Sequence, residues 1–294
     1  MTTPPSGLRL YDLAAHRGSA TVISQYSTSF GLASRLCSEP VREHIADVYA
    51  LVRIADEIVD GPAAEAGLDA AERRRVLDAL EVETEQAMAR GYSANLVVHA
   101  FARTARATGF GTELTRPFFA SMRRDLDTVD FDDAEFRDYV YGSAEVVGLM
   151  CLRAFRQGLG EDPVRDARWE QGARHLGAAF QKINFLRDLG EDSRERGRRY
   201  FPGIDPLRLS ETDKHRLLDD IDRDLATAGA VIPELPGGCR RAVAVAHALF
   251  SALAARLRRT PAATLTDTRV RVPATRKALL LLRATTVRGR KAVA

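Results

Sequence analysis

With only three cysteines, six histidines and one tryptophan in 294 residues, the chain leaves little room for several common chemistries. Cys37, Cys151 and Cys239 lie far apart and form no CxxC pair, so neither a disulfide framework nor a thiol redox motif is indicated. The histidines do not cluster with one another or with cysteine, which excludes the ligand spacings of a zinc site. No GxxxxGK[ST] loop and no strand–GxGxxG–helix unit occurs, disfavouring the ordinary nucleotide-binding folds. No run approaches the roughly 18 consecutive apolar residues of a membrane span, and the polar Met1–Arg9 stretch lacks the apolar segment of a secretory signal. The expected location is the cytoplasm. Acidic residues stop at Asp267, while Arg269, Arg271, Arg276, Lys277, Arg283, Arg288, Arg290 and Lys291 follow.

That basic end reads first as a solvated, partly helical tail. As a functional surface it would make peripheral contact with the inner face of an anionic membrane, at about 1 kcal/mol per basic residue near the lipid. The net charge of +3 is too small to argue for nucleic acid. Apolar residues make up 45% of the chain, enough for a substantial core. They recur at three- and four-residue spacing over 41–60, 70–90, 94–108, 133–158, 170–193, 211–228 and 239–258, with breaks at Gly and Pro turns. The expected fold is all-α, about eight to ten helices in one domain over 1–294, with residues 1–15 an N-terminal extension and 284–294 the basic tail.

Two helical segments carry the chemistry. In ADVYALVRIADEIVDG (46–61), Asp56 and Asp60 lie about 40° apart around a helix axis and about 6 Å along it. Arg53 is one turn before Asp56, and Tyr49 one turn before that. Alone, this is the pattern of an acidic helix surface with a local Arg–Asp pair. In HLGAAFQKINFLRDLGEDSRERGRRYFP (175–202), however, Gln181, Asn184, Asp188 and Asp192 share a second helical face, Arg187 lies beside Asp188, and Arg198 and Tyr200 follow. Several carboxylates on two otherwise apolar helices are costly to bury without cations. Ligands offering only oxygen select hard ions, and Mg²⁺ prefers a few carboxylates completed by phosphate oxygens and water, with Mn²⁺ a substitute. Arginines suit the remaining phosphate oxygens as bidentate donors. Together these residues specify a diphosphate held through metal ions.

The blocks YSTSFGLASRL (26–36), VYALVRIADEIVDG (48–61), FFASMRRDLD (118–127), YVYGSAEVVGLMC (139–151) and LGAAFQKINFLRDLGEDSRERGRRYFP (176–202) resemble, in order, the squalene/phytoene synthase family of head-to-head prenyl transferases. The resemblance implies an all-α isoprenoid-synthase bundle with the two aspartate motifs facing across a central cavity. It implies that Asp56, Asp60, Asn184, Asp188 and Asp192 hold Mg²⁺. Ser27, Ser29, Tyr49, Arg53, Gln181, Arg187, Arg198 and Tyr200 would contact diphosphate directly or through the metals. Phe30, Met122, Tyr139, Ala144, Val147 and Gly148 would line the prenyl tunnels, although each taken singly also reads as core packing. Two residues depart from the family pattern. Glu57 stands where many members have a second Asp, and Glu145 replaces a small residue, so that it either points away from the tunnel or reshapes it.

Similarity to bacterial carotenoid-pathway members implies condensation of two geranylgeranyl diphosphates to phytoene, with no NADPH. The alternative is a farnesyl diphosphate enzyme making squalene, dehydrosqualene or a presqualene-type product. A non-catalytic scaffold relative is a remote third reading, since such a protein would not need both aspartate sets.

Overall fold

The computed structural model describes residues 6–27, 29–127, 130–273 and 275. Its helices run in chain order as α1 (Gly7–Tyr26), α2 (Ser29–Ser34), α3 (Val41–Asp60), α4 (Pro62–Glu65), α5 (Ala70–Arg90), α6 (Leu96–Thr108) and α7 (Thr112–Asp127). They continue as α8 (Asp133–Val140), α9 (Val146–Arg156), α10 (Pro163–Arg196), α11 (Glu211–Val231), α12 (Gly237–Arg259) and α13 (Ala262–Leu265). No strand occurs among the described residues; a lone bridge joins Asp130 and Arg199.

Local chemistry sets the ends. Asp69 and Glu72 form a capping box at the start of α5, and Asp132 and Glu135 do the same for α8. Asn95 accepts from Val97 and Val98 at the head of α6, and Asp162 with Pro163 begins α10. At the other end of α10, Gly197 adopts φ 67°, a left-handed turn that suits glycine and redirects the chain toward Arg198.

The helices bury two main apolar clusters. One joins α3, α5, α6, α7 and α9 around Leu51, Leu77, Phe101, Phe118, Phe119 and Met150. The other joins α8 and α10 to α13 around Ile183, Leu186, Leu218, Ile221 and Leu257. Long α10 is the shared member: it packs on α11, α9, α12 and α8, which is why its apolar residues spread around its circumference rather than along one stripe. Lys214 is almost fully buried, but its ammonium donates to the carbonyls of Arg258 (3.3 Å) and Thr260 (2.7 Å), capping α12 with positive charge.

The periodic segments correspond to α3, α5, α6, α8–α9, α10, α11 and α12. Two long helices were not expected. Helix α7 contains Pro117 and is rich in polar residues, which masks its apolar face. Helix α1 corrects the expected N-terminal extension, because from Gly7 onward those residues are helical and pack on α3 and α6. Tyr11 donates to the Ser93 carbonyl (3.0 Å), Asp12 meets His99 (2.8 Å), and His16 meets the fully buried Asp47 (2.6 Å). Such polar links replace the apolar stripe that sequence reading looks for. The 133–158 segment is also not one α-helix, since Tyr141–Glu145 forms a wide π turn between α8 and α9. The 284–294 tail lies outside the described residues.

Candidate active site

Helix α3 presents Tyr49, Arg53, Asp56 and Asp60 at helical spacing. Arg53 pairs with Asp56 (3.0 Å) and with Glu57, so the Glu that replaces a family Asp serves as a second anchor for Arg53. The Arg53 guanidinium lies 4.6 Å from the Tyr26 ring centre, and Tyr49 stacks on Phe30 at 5.8 Å. Burial pushes the Tyr49 phenol above its ordinary value, with Arg53 acting against that shift. The Ser27 hydroxyl accepts from the backbone N–H groups of Phe30 (3.1 Å) and Gly31 (3.2 Å), capping α2. The Ser29 side chain lies outside the described residues.

Opposite, α10 carries Gln181, Asn184, Arg187, Asp188 and Asp192. Arg187 Nε binds Asp188 (2.8 Å), and Arg269 Nε, from the segment after α13, binds the same carboxylate (2.9 Å). Arg269 also approaches Glu191 (3.5 Å). Gly190 lets this segment cross α10, because a Cβ there would sit 1.9 Å from the Thr266 carbonyl oxygen.

The two halves are tied together by Arg198. Its Nη2 meets Asp60 (2.6 Å) and the Asp125 carbonyl (2.7 Å), and its Nη1 donates to the Tyr200 hydroxyl (3.1 Å). Asp125 in turn accepts from the Tyr139 hydroxyl (2.6 Å). Tyr200 stacks on Phe185 at 3.9 Å, with Tyr139 and Phe131 alongside. Burial pushes the Asp125 carboxyl up to about 8; the Arg198 guanidinium opposes this, and Asp60 adds to it. Tyr139 and Tyr200 are raised by burial and by the charge of Asp125. Burial disfavours the charge on Arg198, but Asp125, Tyr200 and Asp60 together outweigh it and hold the group firmly protonated.

Between α3, α9, α10 and α12 lies a cavity of about 790 Å³. At one end its wall carries Ser27, Tyr49, Arg53, Gln181, Asn184, Arg187 and Arg269. The body is apolar and includes Phe30, Ala144, Val147 and Gly148. Ser143 and Ala144 reach the wall from the π turn, a widened turn of the kind often found at functional sites. Cys37 and Cys151 also face the cavity, but burial pushes their thiols up to about 11 and about 12, so they are neutral wall and not nucleophiles.

The structure therefore gathers ten of the expected residues on one surface: Ser27, Phe30, Tyr49, Arg53, Ala144, Val147, Gly148, Gln181, Asn184 and Arg187. The four aspartates are on the same two helices, Asp56 paired with Arg53 and Asp188 with Arg187 of that wall. Tyr139, Arg198 and Tyr200 are packed behind it in the polar network, and Met122 sits in the α3–α9 core. Glu145 points away from the cavity: its carboxylate binds Arg174 (2.7 Å), whose guanidinium covers Tyr141. Asp125 and Arg269 were missed. Asp125 did leave a signal, an acid at the core position of the 118, 121/122, 125 face; Arg269 left none beyond a basic residue in a basic segment.

The donor set fits Mg²⁺. It offers only oxygen, and its charge is balanced here by guanidinium groups that a dication would relieve. No group of three or more acidic, His or Cys ligands is drawn together among the described residues.

Comparison with known proteins agrees with this architecture. The squalene/phytoene synthase family model matches residues 23–276. A 15-cis-phytoene synthase from Paracoccus sp. (strain N81106 / MBIC 01143) is 30% identical over 257 residues, covering 82% of this chain and 81% of that protein. Phytoene synthase 3, chloroplastic, from Zea mays is 32% identical over 243 residues, covering 81% of this chain; the match spans about half of that longer protein, 52%. Among solved structures, a dehydrosqualene synthase in complex with ligand superposes with a TM-score of 0.75 at 22% identity, covering 93% of this chain and 96% of that one, and it shares the fold. The chain belongs to the squalene/phytoene synthase family.

Proposed function

We propose that this protein is a phytoene synthase that joins two geranylgeranyl diphosphates head to head in a Mg²⁺-dependent reaction. One observation carries the reading: an apolar cavity whose polar end carries arginines, with acidic pairs on the two flanking helices. The relatives named phytoene synthase, at about 30% identity over most of the chain, favour the twenty-carbon substrate.

Asp56, Asp60, Asn184, Asp188 and Asp192 would hold the ions, which supply Lewis-acid stabilisation of the departing diphosphate. Arg53, Arg187 and Arg269 would grip its free oxygens through paired N–H donors. In the first step the C1–O bond of one substrate breaks, releasing diphosphate and an allylic cation. The double bond of the second substrate attacks it, and loss of a proton closes a cyclopropylcarbinyl diphosphate. That intermediate loses its own diphosphate, rearranges and sheds a further proton to give phytoene. No reductant enters this balance. The apolar wall keeps water from the cations, and the Phe30 and Tyr49 rings offer them π faces. The Arg198–Asp125–Tyr139 network holds Asp60 in register with α10. Peripheral contact of the basic C-terminal segment with an anionic membrane would assist release of a water-insoluble product; sedimentation with phosphatidylglycerol vesicles tests it, and loss of binding on truncation after Thr275 is the expected result.

The deciding experiment is incubation of purified protein with Mg²⁺ and either farnesyl or geranylgeranyl diphosphate, followed by identification of the hydrocarbon. Phytoene from the longer substrate is expected; turnover of farnesyl diphosphate alone would overturn the assignment.

A further inference from the structure

We propose that Trp169 is the stop at the far end of the cavity and sets the longest prenyl chain the enzyme accepts; this rests on the reading of the cavity as a prenyl site. Trp169 is the first residue of α10 on the cavity wall, and Asn184 stands one turn before the last, Arg187. Fifteen residues separate Trp169 from Asn184, a distance of about 22 Å at the helical rise. That is comparable to an extended geranylgeranyl chain and longer than a farnesyl chain. A shorter substrate anchored at the arginines ends before reaching the indole, and the longer one meets it.

Trp169 is built as a fixed stop. It is 3% exposed and packs in a cluster with Cys37, Leu152, Leu235, Cys239 and Ala242, of which all but Cys239 line the cavity with it. Its Nε1–H donates to Glu234 (3.3 Å), and the Arg165 guanidinium lies 5.1 Å over its ring. Glu234 is itself held by Arg168. Swinging the indole aside would break both contacts and open a void in the cluster. Helices α10 and α11 are also in close contact here, at Gly172, where a Cβ would sit 2.2 Å from the Val231 Cγ2. Between Trp169 and Phe180 the α10 wall is Gly172, Ala173, Leu176 and Gly177, so no other ring on this helix intervenes before Phe180, near the polar end.

The test uses the protein's single tryptophan. With Mg²⁺ present, the full chain is titrated to saturation with non-ionising thiolo-diphosphates bearing geranyl, farnesyl or geranylgeranyl chains, and indole emission is read. A shift several-fold larger for the geranylgeranyl analogue than for the geranyl one is expected; equal responses overturn the proposal. In parallel, the ratio of kcat/KM for geranylfarnesyl over geranylgeranyl diphosphate should rise about tenfold or more in Trp169→Ala and less in Trp169→Phe. An unchanged ratio in Trp169→Phe and in a helical Trp169→Ala overturns it. If the parent instead uses farnesyl and rejects geranylgeranyl diphosphate, the phytoene reading falls. Gain of geranylgeranyl turnover by Trp169→Ala would in that case still support the stop.

Discussion

The two acidic helices look alike in sequence but are held in different ways. On α3, Asp56 and Glu57 are engaged by Arg53 of the same helix, through i,i+3 and i,i+4 geometry. On α10, Asp188 is engaged by its neighbour Arg187 and by Arg269, eighty-one residues away. Asp60, at the end of α3, belongs with the second type, since Arg198 reaches it from beyond the end of α10. The contrast separates a locally assembled jaw, half-buried and cheap to alter, from one that needs the whole fold. A partly exposed local pair such as Arg53–Asp56 contributes about 1 kcal/mol, whereas a buried, multiply bonded cation such as Arg198 is costly to remove.

The largest expected effect breaks both jaws at once. Asp56→Asn with Asp188→Asn should lower turnover at least about a thousandfold, equivalent to several kcal/mol in the barrier, with circular dichroism unchanged. Retained turnover would sink the metal assignment. Next, Arg198→Met should destabilise the protein by about 3–5 kcal/mol in urea melts, because it leaves Asp60 and Asp125 facing each other without their cation. Arg53→Met should cost less than about 1 kcal/mol in the same melts while still depressing turnover. If the two variants melt alike, the distinction between the jaws is wrong. Arg269→Met should leave the melt nearly unchanged and raise KM about tenfold, the loss of one good phosphate contact.

The smallest effect concerns the back of α3. The Asp47 carboxylate beside His16 raises the His16 pKa above 6.5, so its stabilisation is complete below pH 6.5 and is lost as pH climbs through the folded value. Burial lowers the pKa of neighbouring His44, which acts oppositely, weakening the fold as pH falls below 6.5. His16→Gln should therefore flatten the fall in melting temperature above pH 6.5 and leave the acidic limb intact. A parent-like alkaline slope would count against the pair.

What the sequence made legible follows the range of the interaction. Tyr49, Arg53, Asp56 and Asp60, and likewise Gln181, Asn184, Arg187 and Asp188, share helix faces, so simple periodicity places them together. Helix α7 stayed hidden because Pro117 and its charges obscure a face that Leu114, Phe118, Ser121, Met122 and Asp125 bury. Asp125 was within a recognised block, yet its role depends on Tyr139 and Arg198, brought to it by α8 and by the turn at Gly197. Arg269 reaches Asp188 because Gly190 admits the crossing segment, a contact that no helix face encodes.

By itself, then, the sequence determined the helical class, the paired acidic faces and the family, because all three rest on spacing within one helix or one continuous block. Tertiary structure alone decided that Glu145 turns outward to Arg174, that α1 is part of the domain and that Arg198 and Arg269 reach the two aspartate sets. The reason is physical: partner and direction for a long charged side chain depend on which distant helix shields it from water, and no local pattern encodes that choice.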